Sequence, residues 1–304
     1  MDKHTIESLA NQTIKTFSPI TDSRLEKTYN VFLLVTTENK KFILKKITRN
    51  EYSLNRILQK HNQFRIMPAI RQTAKDSEGN WWMTTDYVAG DNLSILNPAA
   101  AELLGEALAE LVSYFWSNPQ PLKNISPSID DQIAAKERFL CKIEKNTVMH
   151  EAYLTYIQRF VDSPKSLCHD DLLPINVLYD NKHNNVKIID WEHGRLSSYI
   201  SDTARFATFY NKDRDKFKRG LTFLDDENSA SLFLTAFYTA LTAELKAFIS
   251  KEQFLYDYHL ESYNQLLLNI SHLKEITPEA ITNDWEHYFY EEAYQKAHFL
   301  NVTY

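Results

Sequence analysis

The stretch SLCHDDLLPINVLYDNKHNNVKIID, residues 166–190, decides the fold. It opens with a short apolar strand pattern, passes through a polar loop and ends in a second strand pattern, VKII at 186–189, that leads to Asp190. Within it, HDDLLPIN at 169–176 carries all four fixed positions of the catalytic-loop pattern H-x-D-L-x-x-x-N. We therefore expect the chemistry of this protein in this loop and at the end of the second strand.

Three residues of this stretch have the chemistry that phosphoryl transfer requires. One carboxylate must orient the attacking hydroxyl and accept its proton, while an amide oxygen and a second carboxylate must hold Mg²⁺ on the phosphates of ATP. We assign Asp171 as the base and Asn176 and Asp190 as metal ligands, and all three as catalytic residues. The alternative is a polar hairpin whose Asp and Asn residues only favour turns. The coincidence of four pattern positions with a separate acid at the end of a strand argues against it.

Upstream, a predicted hairpin places a lysine on a strand. YNVFLLV at 29–35 and FILKKI at 42–47 have strand patterns, with a turn at 38–40. In kinase-like enzymes a strand lysine contacts the phosphates of ATP, and a glutamate on the next helix holds that lysine. We assign Lys45 and Glu51 to these roles. A lysine in such a position is more often solvated surface, and only its place upstream of the 169–176 loop favours the assignment.

A further strand pattern, WWMTT at 81–85, runs through an extended tripeptide into Gly90. Such a segment can join two lobes and offer backbone groups to an adenine edge, and a junction of two lobes is a favoured place for a ligand cleft. We therefore divide the chain into an N-terminal lobe, residues 1–88, and a C-terminal lobe, residues 89–304. An ordinary exit from a strand is the alternative.

The bulk composition narrows the class of protein. A chain of 304 residues with 43% hydrophobic content can build a large core, and two lobes fit this length better than one. A net charge of −6 argues against nucleic acid or an anionic membrane as the main partner. Two cysteines without metal or disulfide spacing predict a reducing cytoplasm. No signal-type apolar core or long apolar run occurs, so we expect neither secretion nor a membrane span.

Most of the remaining chain has helical patterns. Apolar spacing predicts a helix over 5–17, and Asn97 with Pro98 fits the N-cap and first residue of another. From residue 228 onward the pattern is almost wholly helical. There, Trp285, Tyr288 and Glu292 share one helical face that could bind an amine by cation–π and charge attraction. An aromatic core stripe with a solvated acidic edge is the commoner meaning of such a pattern.

Two further features bear on the substrates. The chain has only five glycines, and none lies between Thr21 and Val31, where a phosphate-covering loop would need backbone freedom. After Asp190 the segment before the next helix is short, whereas a protein kinase needs a long activation segment that ends in A-P-E to hold a peptide. We therefore expect the acceptor to be a small molecule.

Together these motifs resemble the aminoglycoside phosphotransferase and choline kinase-like family of small-molecule kinases, over about residues 24–210. The most specific parts are HDDLLPIN at 169–176 and IIDWE at 188–192, and the Asp-Trp-Glu form looks most like the choline kinase-like and thiamine kinase-like branches. The resemblance implies an α+β, bilobal, protein-kinase-like fold: a small antiparallel β-sheet lobe, a larger mainly helical lobe and ATP between them. It also places the backbone of Asp86 and Val88 against adenine and implies that Asp202 helps to hold the catalytic loop.

This chain departs from the family pattern at two places. Glycine is usual where Asp170 stands, and a glycine is frequent in the nucleotide-covering turn where this chain has LEKTY at 25–29. An extra carboxylate beside the base could strengthen the binding of a substrate amine, or it could disfavour ionised phosphates nearby.

The predicted function is an ATP- and Mg²⁺-dependent phosphotransferase. Its acceptor would be a hydroxyl of a small, cationic, amine-bearing molecule such as an aminoglycoside, a choline- or ethanolamine-like amino alcohol, thiamine or an amino sugar. A pseudokinase that binds without turnover is the alternative: the missing glycines favour it, and the intact Asp171, Asn176 and Asp190 oppose it. Protein kinase activity is disfavoured by the short segment after Asp190.

Overall fold

The fold is described from a computed structural model, which covers residues 2–22, 27–61, 66–93, 98–208 and 227–303. Some predicted features lie outside these ranges: the N-cap Asn97, Leu25 and Glu26 of the glycine-free turn, and Tyr210, which the family resemblance reaches at its end.

An antiparallel sheet of five strands, in the order β1-β2-β3-β5-β4, forms the N-terminal part. Its strands are β1 (Ile14–Asp22), β2 (Lys27–Thr36), β3 (Lys41–Ile47), β4 (Ile70–Lys75) and β5 (Trp81–Asp86). The predicted hairpin is thus confirmed as β2 and β3. Helix α2 (Arg49–Lys60) follows β3 directly and begins where the Thr48 hydroxyl accepts the N–H of Glu51 at 3.1 Å.

The prediction of one helix over residues 5–17 is wrong in its second half. Helix α1 is Lys3–Ala10 and ends at Asn11, whose φ of 48° lies in the left-handed region that asparagine tolerates. Ile14 and Phe17 belong to β1 and pair with β2. The apolar spacing fits a helix, but pairing with β2, the next strand along the chain, overrides it, and apolar spacing alone does not reveal that pairing.

The rest of the chain is mainly helical. Its helices are α3 (Pro98–Ser117), α4 (Ile129–Leu140), α5 (Val148–Asp162), α6 (Ser201–Thr208), α7 (Glu227–Ala240), α8 (Ala243–Phe248), α9 (Lys251–Leu268) and α10 (Asp284–Thr303). One hydrophobic cluster lies around α3 and α7, and a second fills the space between α5, α9 and α10. Across the described ranges, we find no helix with both the length and the apolar character that crossing a bilayer demands.

Five short strands position the loop at 169–176. They are β6 (Asp91–Asn92), β7 (Lys165–Cys168), β8 (Val177–Asp180), β9 (Asn185–Ile188) and β10 (Arg195–Ser198). β7 pairs with β10, and β8 pairs with both β6 and β9, all antiparallel. The polar loop at 169–176 therefore connects β7 to β8, each of which is paired with another strand. Asp190 follows shortly after the end of β9. Because both ends are tied to ladders, the loop has a fixed backbone.

A sheet-containing part followed by a mainly helical part confirms the predicted α+β class. β5 ends at Asp86 and α3 begins at Pro98. The exact division into residues 1–88 and 89–304 stays a prediction.

Candidate active site

Lys45 of β3 lies at the centre of a charged cluster. Its Nζ donates to both carboxylate oxygens of Glu51, at 3.0 and 3.1 Å, and also to Oδ1 of Asp190, which is 145 residues away in sequence. The side chains of Lys45 and Glu51 are 18% and 2% exposed, whereas that of Asp190 is 41% exposed. The predicted pair is therefore formed, and it also contacts the predicted metal ligand.

Helix α2 is tied to the loop that carries Asp190. The side-chain amide of Asn50 donates to the backbone carbonyl of Gly194 at 3.2 Å and to that of Glu192 at 3.4 Å. Burial raises the pKa of Glu51 to about 7; Lys45 opposes this shift, and the carboxylates of Asp190 and Glu192 add to it. A positive charge in this cluster would therefore stabilise the ionised form of Glu51.

Three carboxylates converge beside Lys45. One oxygen each from Glu51, Asp190 and Glu192 lies within 4.8 Å of the others. Carboxylate oxygens are the hard ligands that Mg²⁺ and similar cations prefer. The donor set of the cluster therefore fits a divalent cation.

His169 holds the polar loop from inside. It is fully buried, and burial lowers its pKa to about 4, so the imidazole is neutral at pH 7. Its Nε2 donates to the carbonyl of Ile189 at 2.8 Å, and its Nδ1 accepts the N–H of Asp171 at 3.3 Å. Because the Ile189 carbonyl can only accept, these contacts fix the tautomer with the proton on Nε2. His169 thus links the backbone around Asp171 to that beside Asp190.

Asp202, at the start of α6, holds the same loop from the other side. Its carboxylate accepts the N–H of His169 at 2.6 Å and the N–H of Asp170 at 2.8 Å. Burial raises the pKa of Asp202 to about 7, against the two backbone donors, which lower it. The expectation that Asp202 helps to hold the loop agrees with these contacts.

The structure explains why glycine is usual where Asp170 stands. Asp170 has a φ of 65°, in the left-handed region that glycine adopts freely and that Asp tolerates better than most residues. Its carboxylate forms an ion pair with Arg195 of β10. The extra carboxylate therefore already has a cationic partner in the protein.

Asp171 and Asn176 are joined within the loop. The side-chain amide nitrogen of Asn176 donates to the backbone carbonyl of Asp171 at 2.8 Å. The backbone carbonyl of Asn176 accepts the N–H of Ile189 at 2.9 Å, which ties it to the segment before Asp190. Because the nitrogen of the amide is engaged, Oδ1 is the atom through which Asn176 would ligate a metal.

The carboxylate of Asp171 faces a residue that the sequence did not single out. Nη2 of Arg205, on α6, lies 2.9 Å from Oδ1 of Asp171. Arg205 follows Asp202 by three residues, so both lie on the same face of α6. That spacing is the one sequence signal that could have found Arg205 once Asp202 was placed.

Asp86 and Val88 are the two residues predicted to meet adenine, and no side-chain contact links them to the Lys45 cluster among the described residues. Asp86 ends β5, its side chain forms two 2.6 Å contacts with Arg71, and its N–H donates to the carbonyl of Ala69. The side chain and the N–H of Asp86 are therefore already engaged. Asp86 and Val88 also line a cavity of about 510 Å³, together with residues of the 180–187 hairpin. Among the described residues that line it, none belongs to the Lys45 cluster.

The aromatic face of α10 packs rather than forming a cage. Trp285 and Tyr288 are half-buried, each contacts the ring of Phe289 edge-on, and both pack against the second hydrophobic cluster. Glu292 is exposed. These contacts are those of the aromatic core stripe.

The sequence comparisons place these features in a known group. The pattern of the phosphotransferase enzyme family matches residues 25–230. Human ethanolamine kinase 1 is 27% identical over 126 residues, which cover 36% of this chain and 27% of the human protein. This chain therefore matches only about a quarter of the length of that relative.

Solved structures show the same fold. Choline kinase LicA from Streptococcus pneumoniae superposes with a TM-score of 0.57 at 15% identity, over 99% of this chain and 98% of LicA. An aminoglycoside phosphotransferase from Alicyclobacillus acidocaldarius superposes with a TM-score of 0.57 at 11% identity, over 97% of this chain and 93% of that protein. The predicted kinase-like fold and the resemblance to small-molecule kinases are confirmed.

Proposed function

Because the chain belongs to the phosphotransferase enzyme family, we propose that it is an ATP- and Mg²⁺-dependent kinase for a hydroxyl of a small, amine-bearing molecule. The observation that carries this proposal is the contact of Lys45 with both Glu51 and Asp190. It joins a strand lysine, a helix glutamate and the acid after β9 in the arrangement that a phosphate- and metal-binding site requires. An amine-bearing acceptor is supported by the choline and ethanolamine kinases among the similar proteins.

In the proposed reaction the acceptor oxygen bonds to the γ-phosphorus of ATP as the bond from that phosphorus to the β–γ bridging oxygen breaks. ADP leaves, and the hydroxyl proton passes to the carboxylate of Asp171. Arg205, which contacts that carboxylate, keeps it oriented. The fixed backbone around His169 places Asp171 without a cost of reorganisation.

Magnesium fits the residues present. Asp190 would supply a carboxylate and Asn176 its amide oxygen, and the carboxylates of Glu51 and Glu192, close to that of Asp190, would add negative charge. When bound, the ion would neutralise charge on the phosphates. Lys45 would contact the α- and β-phosphates and Glu51 would orient it, while the Asp86 carbonyl and the Val88 N–H would meet adenine.

The test is thermal unfolding of the wild type and of Asp190→Ala, each with and without MgATP. A ligand that binds only the folded state at 100 times its dissociation constant stabilises by about 2.7 kcal/mol. We expect a magnesium-dependent rise in the melting temperature of the wild type that Asp190→Ala loses. Asp162→Ala, a change of an exposed acid at the end of α5, is the matched control and should keep the rise.

Each other outcome has a definite meaning. An equal rise in Asp190→Ala would place the nucleotide elsewhere and overturn the metal assignment. The absence of any rise at millimolar MgATP would favour the pseudokinase, a binding module without turnover. Where the rise is present, release of ADP with a panel of amino alcohols, amino sugars and thiamine tests transfer itself.

A further inference from the structure

A polar cavity adjoins the loop, and among its described lining residues none belongs to the Lys45 cluster. Its volume is about 200 Å³, and its lining includes Asp170 of the loop and Arg205, whose Nη2 contacts Asp171. At about 30 Å³ for each water, this is room for six or seven waters, which suits a ligand of amino-acid size. Helices α4 and α9 and strand β10 supply the other walls. A ligand here would lie next to the proposed base.

Two of the three cations that line this cavity already have carboxylate partners. Arg195 pairs with Asp170, and Arg205 pairs with Asp171. Each pair is internally neutral, so neither pair by itself selects a charged ligand. The selectivity of the cavity must therefore come from the charges that remain.

Lys136 of α4 is the remaining cation. Its Nζ lies 4.4 Å from the ring centroid of Phe160 and 5.0 Å from that of Tyr156, so two aromatic faces hold the ammonium in place. Within the described part of the chain, this ammonium forms neither a hydrogen bond nor an ion pair. Burial lowers the pKa of Lys136, whereas the charge of Glu261 raises it. A ligand anion beside Lys136 would favour its charged form.

Glu261 of α9 is the remaining carboxylate. It is 3% exposed, and its Oε1 accepts the side-chain amides of Asn264 at 2.8 Å and Gln265 at 2.9 Å. These bonds orient the carboxylate, but they bring no positive charge. In the described ranges, Glu261 forms no ion pair. The cavity thus presents one cation and one carboxylate, each without an opposite charge in contact.

The lining also argues against a quaternary ammonium as the group by which this cavity recognises its ligand. Apart from Leu268, the described residues of the lining are polar or charged, and none is aromatic. Cation–π recognition of a quaternary ammonium needs ring faces open to the ligand, and the rings of Phe160 and Tyr156 already contact Lys136.

We propose that this cavity binds the acceptor and that the acceptor is a zwitterionic alcohol, with its carboxylate against Lys136 and its ammonium against Glu261. The two ligand charges would meet the two unpaired charges of the cavity, and the hydroxyl would reach towards Asp171 beside Arg205. The acceptor is then a hydroxy amino acid or a compound that carries the same groups. This inference rests on the proposed phosphotransferase function for turnover but makes a separate claim about binding.

The first experiment measures binding by calorimetry without nucleotide, which separates this inference from the proposed function. The probes are L-serine, L-homoserine and 5-hydroxy-L-norvaline, a ladder of chain lengths with one ammonium and one carboxylate each. Each probe is compared with a partner compound that lacks the carboxylate, which for homoserine is 3-aminopropan-1-ol. Homoserine is also compared with 4-hydroxybutyrate, a partner compound that lacks the ammonium. We expect at least one zwitterion to bind at least about tenfold more tightly than its partners, the loss expected for one charged contact.

Two variants test the residues. Lys136→Met keeps an unbranched side chain on the aromatic rings, and Glu261→Gln keeps an oxygen that can accept the amides of α9. Lys136→Met should remove the preference for the zwitterion over the amine that lacks the carboxylate. Glu261→Gln should remove the preference for the zwitterion over the hydroxy acid that lacks the ammonium. Lys145→Met, a change of an exposed lysine, is the matched control and should keep both preferences. Far-UV circular dichroism verifies that each variant is folded.

The outcomes separate the two claims. Binding of a zwitterion that Lys136→Met and Glu261→Gln weaken, without release of ADP from MgATP, supports this inference and contradicts the proposed function. Release of ADP with amino alcohols at least as fast as with every zwitterion supports the function and overturns this inference. If no zwitterion of the ladder binds, or if the variants leave the preferences unchanged, the inference is also overturned.

Discussion

The loop at 169–176 and the polar cavity beside it are adjacent in space but are built differently. The loop is held by its own backbone, by His169 within it and by Asp202, which lies about thirty residues on. The cavity takes its charged walls from α4, β10, α6 and α9, so Lys136 and Glu261 meet only after the whole helical region has packed. Under the proposed function, the chemical step would be encoded in one short stretch, whereas the choice of acceptor would be distributed over the chain.

Three consecutive residues of the loop, His169, Asp170 and Asp171, allow the comparison of loop and cavity to be tested. His169 holds the loop, Asp170 lines the cavity, and Asp171 contacts Arg205 of the cavity wall. Asp171 carries the largest expected effect. Asp171→Asn removes the proton acceptor but keeps an oxygen for Arg205, so we expect kcat to fall by about two to four orders of magnitude. Binding of MgATP, measured by thermal unfolding, should be retained.

The control for this change is Asp162→Asn, which removes an exposed carboxylate at the end of α5, outside the loop, and should leave kcat unchanged. Normal turnover in Asp171→Asn would refute the assignment of the base. A loss of nucleotide binding together with turnover would show that the loop had moved, and the separation between loop and cavity would then be weaker than described.

The second test addresses how the loop is held, through pH. His169 is neutral when folded down to about pH 4, whereas in the unfolded chain it takes up a proton below about pH 6.5. The unfolded state therefore binds more protons between these values, and the free energy of unfolding should fall as the pH falls through this window. A difference of about 2.5 pKa units corresponds to about 3 kcal/mol at most.

The measurement is urea unfolding from pH 7.5 to pH 4 for the wild type and His169→Gln, whose amide can still donate to the Ile189 carbonyl. The raised pKa of Asp202 makes its contribution to the free energy of unfolding increase as the pH falls, over an overlapping pH range. The contribution of His169 is therefore taken as the difference between the curves of wild type and variant. His287→Gln, a change of an exposed histidine, should follow the wild type. Parallel curves for wild type and His169→Gln would mean that His169 is protonated in the folded state.

The same contrast explains how much the sequence could predict. The loop residues were predictable because their spacing within eight residues is itself the motif. Lys45 and Glu51 were predictable because they are six residues apart on a strand and the helix that follows. Their contact with Asp190 was not predicted, since nothing local links β3 to the end of β9.

The cavity could not be predicted in this way. Lys136, Arg195 and Glu261 occupy positions where a single sequence only suggests solvated surface, and their meeting depends on how four distant elements pack. The wrong helix over residues 5–17 has the same cause, because Ile14 and Phe17 are drawn into β1 by pairing with β2. In both places the deciding contacts are non-local.

The third and smallest effect separates the backbone role of Asp170 from the role of its charge. Asp170→Gly and Asp170→Ala both remove the carboxylate that pairs with Arg195, so the difference between them reports the left-handed backbone alone. We expect the glycine variant to be more stable by about 1 kcal/mol in urea unfolding. The control is Glu106, an exposed residue within α3. There, Glu106→Ala should be more stable than Glu106→Gly by a similar amount, because alanine is favoured over glycine in a helix. If alanine were as stable as glycine at position 170, the loop could relax from the left-handed conformation, and its fixed placement of Asp171 would fail.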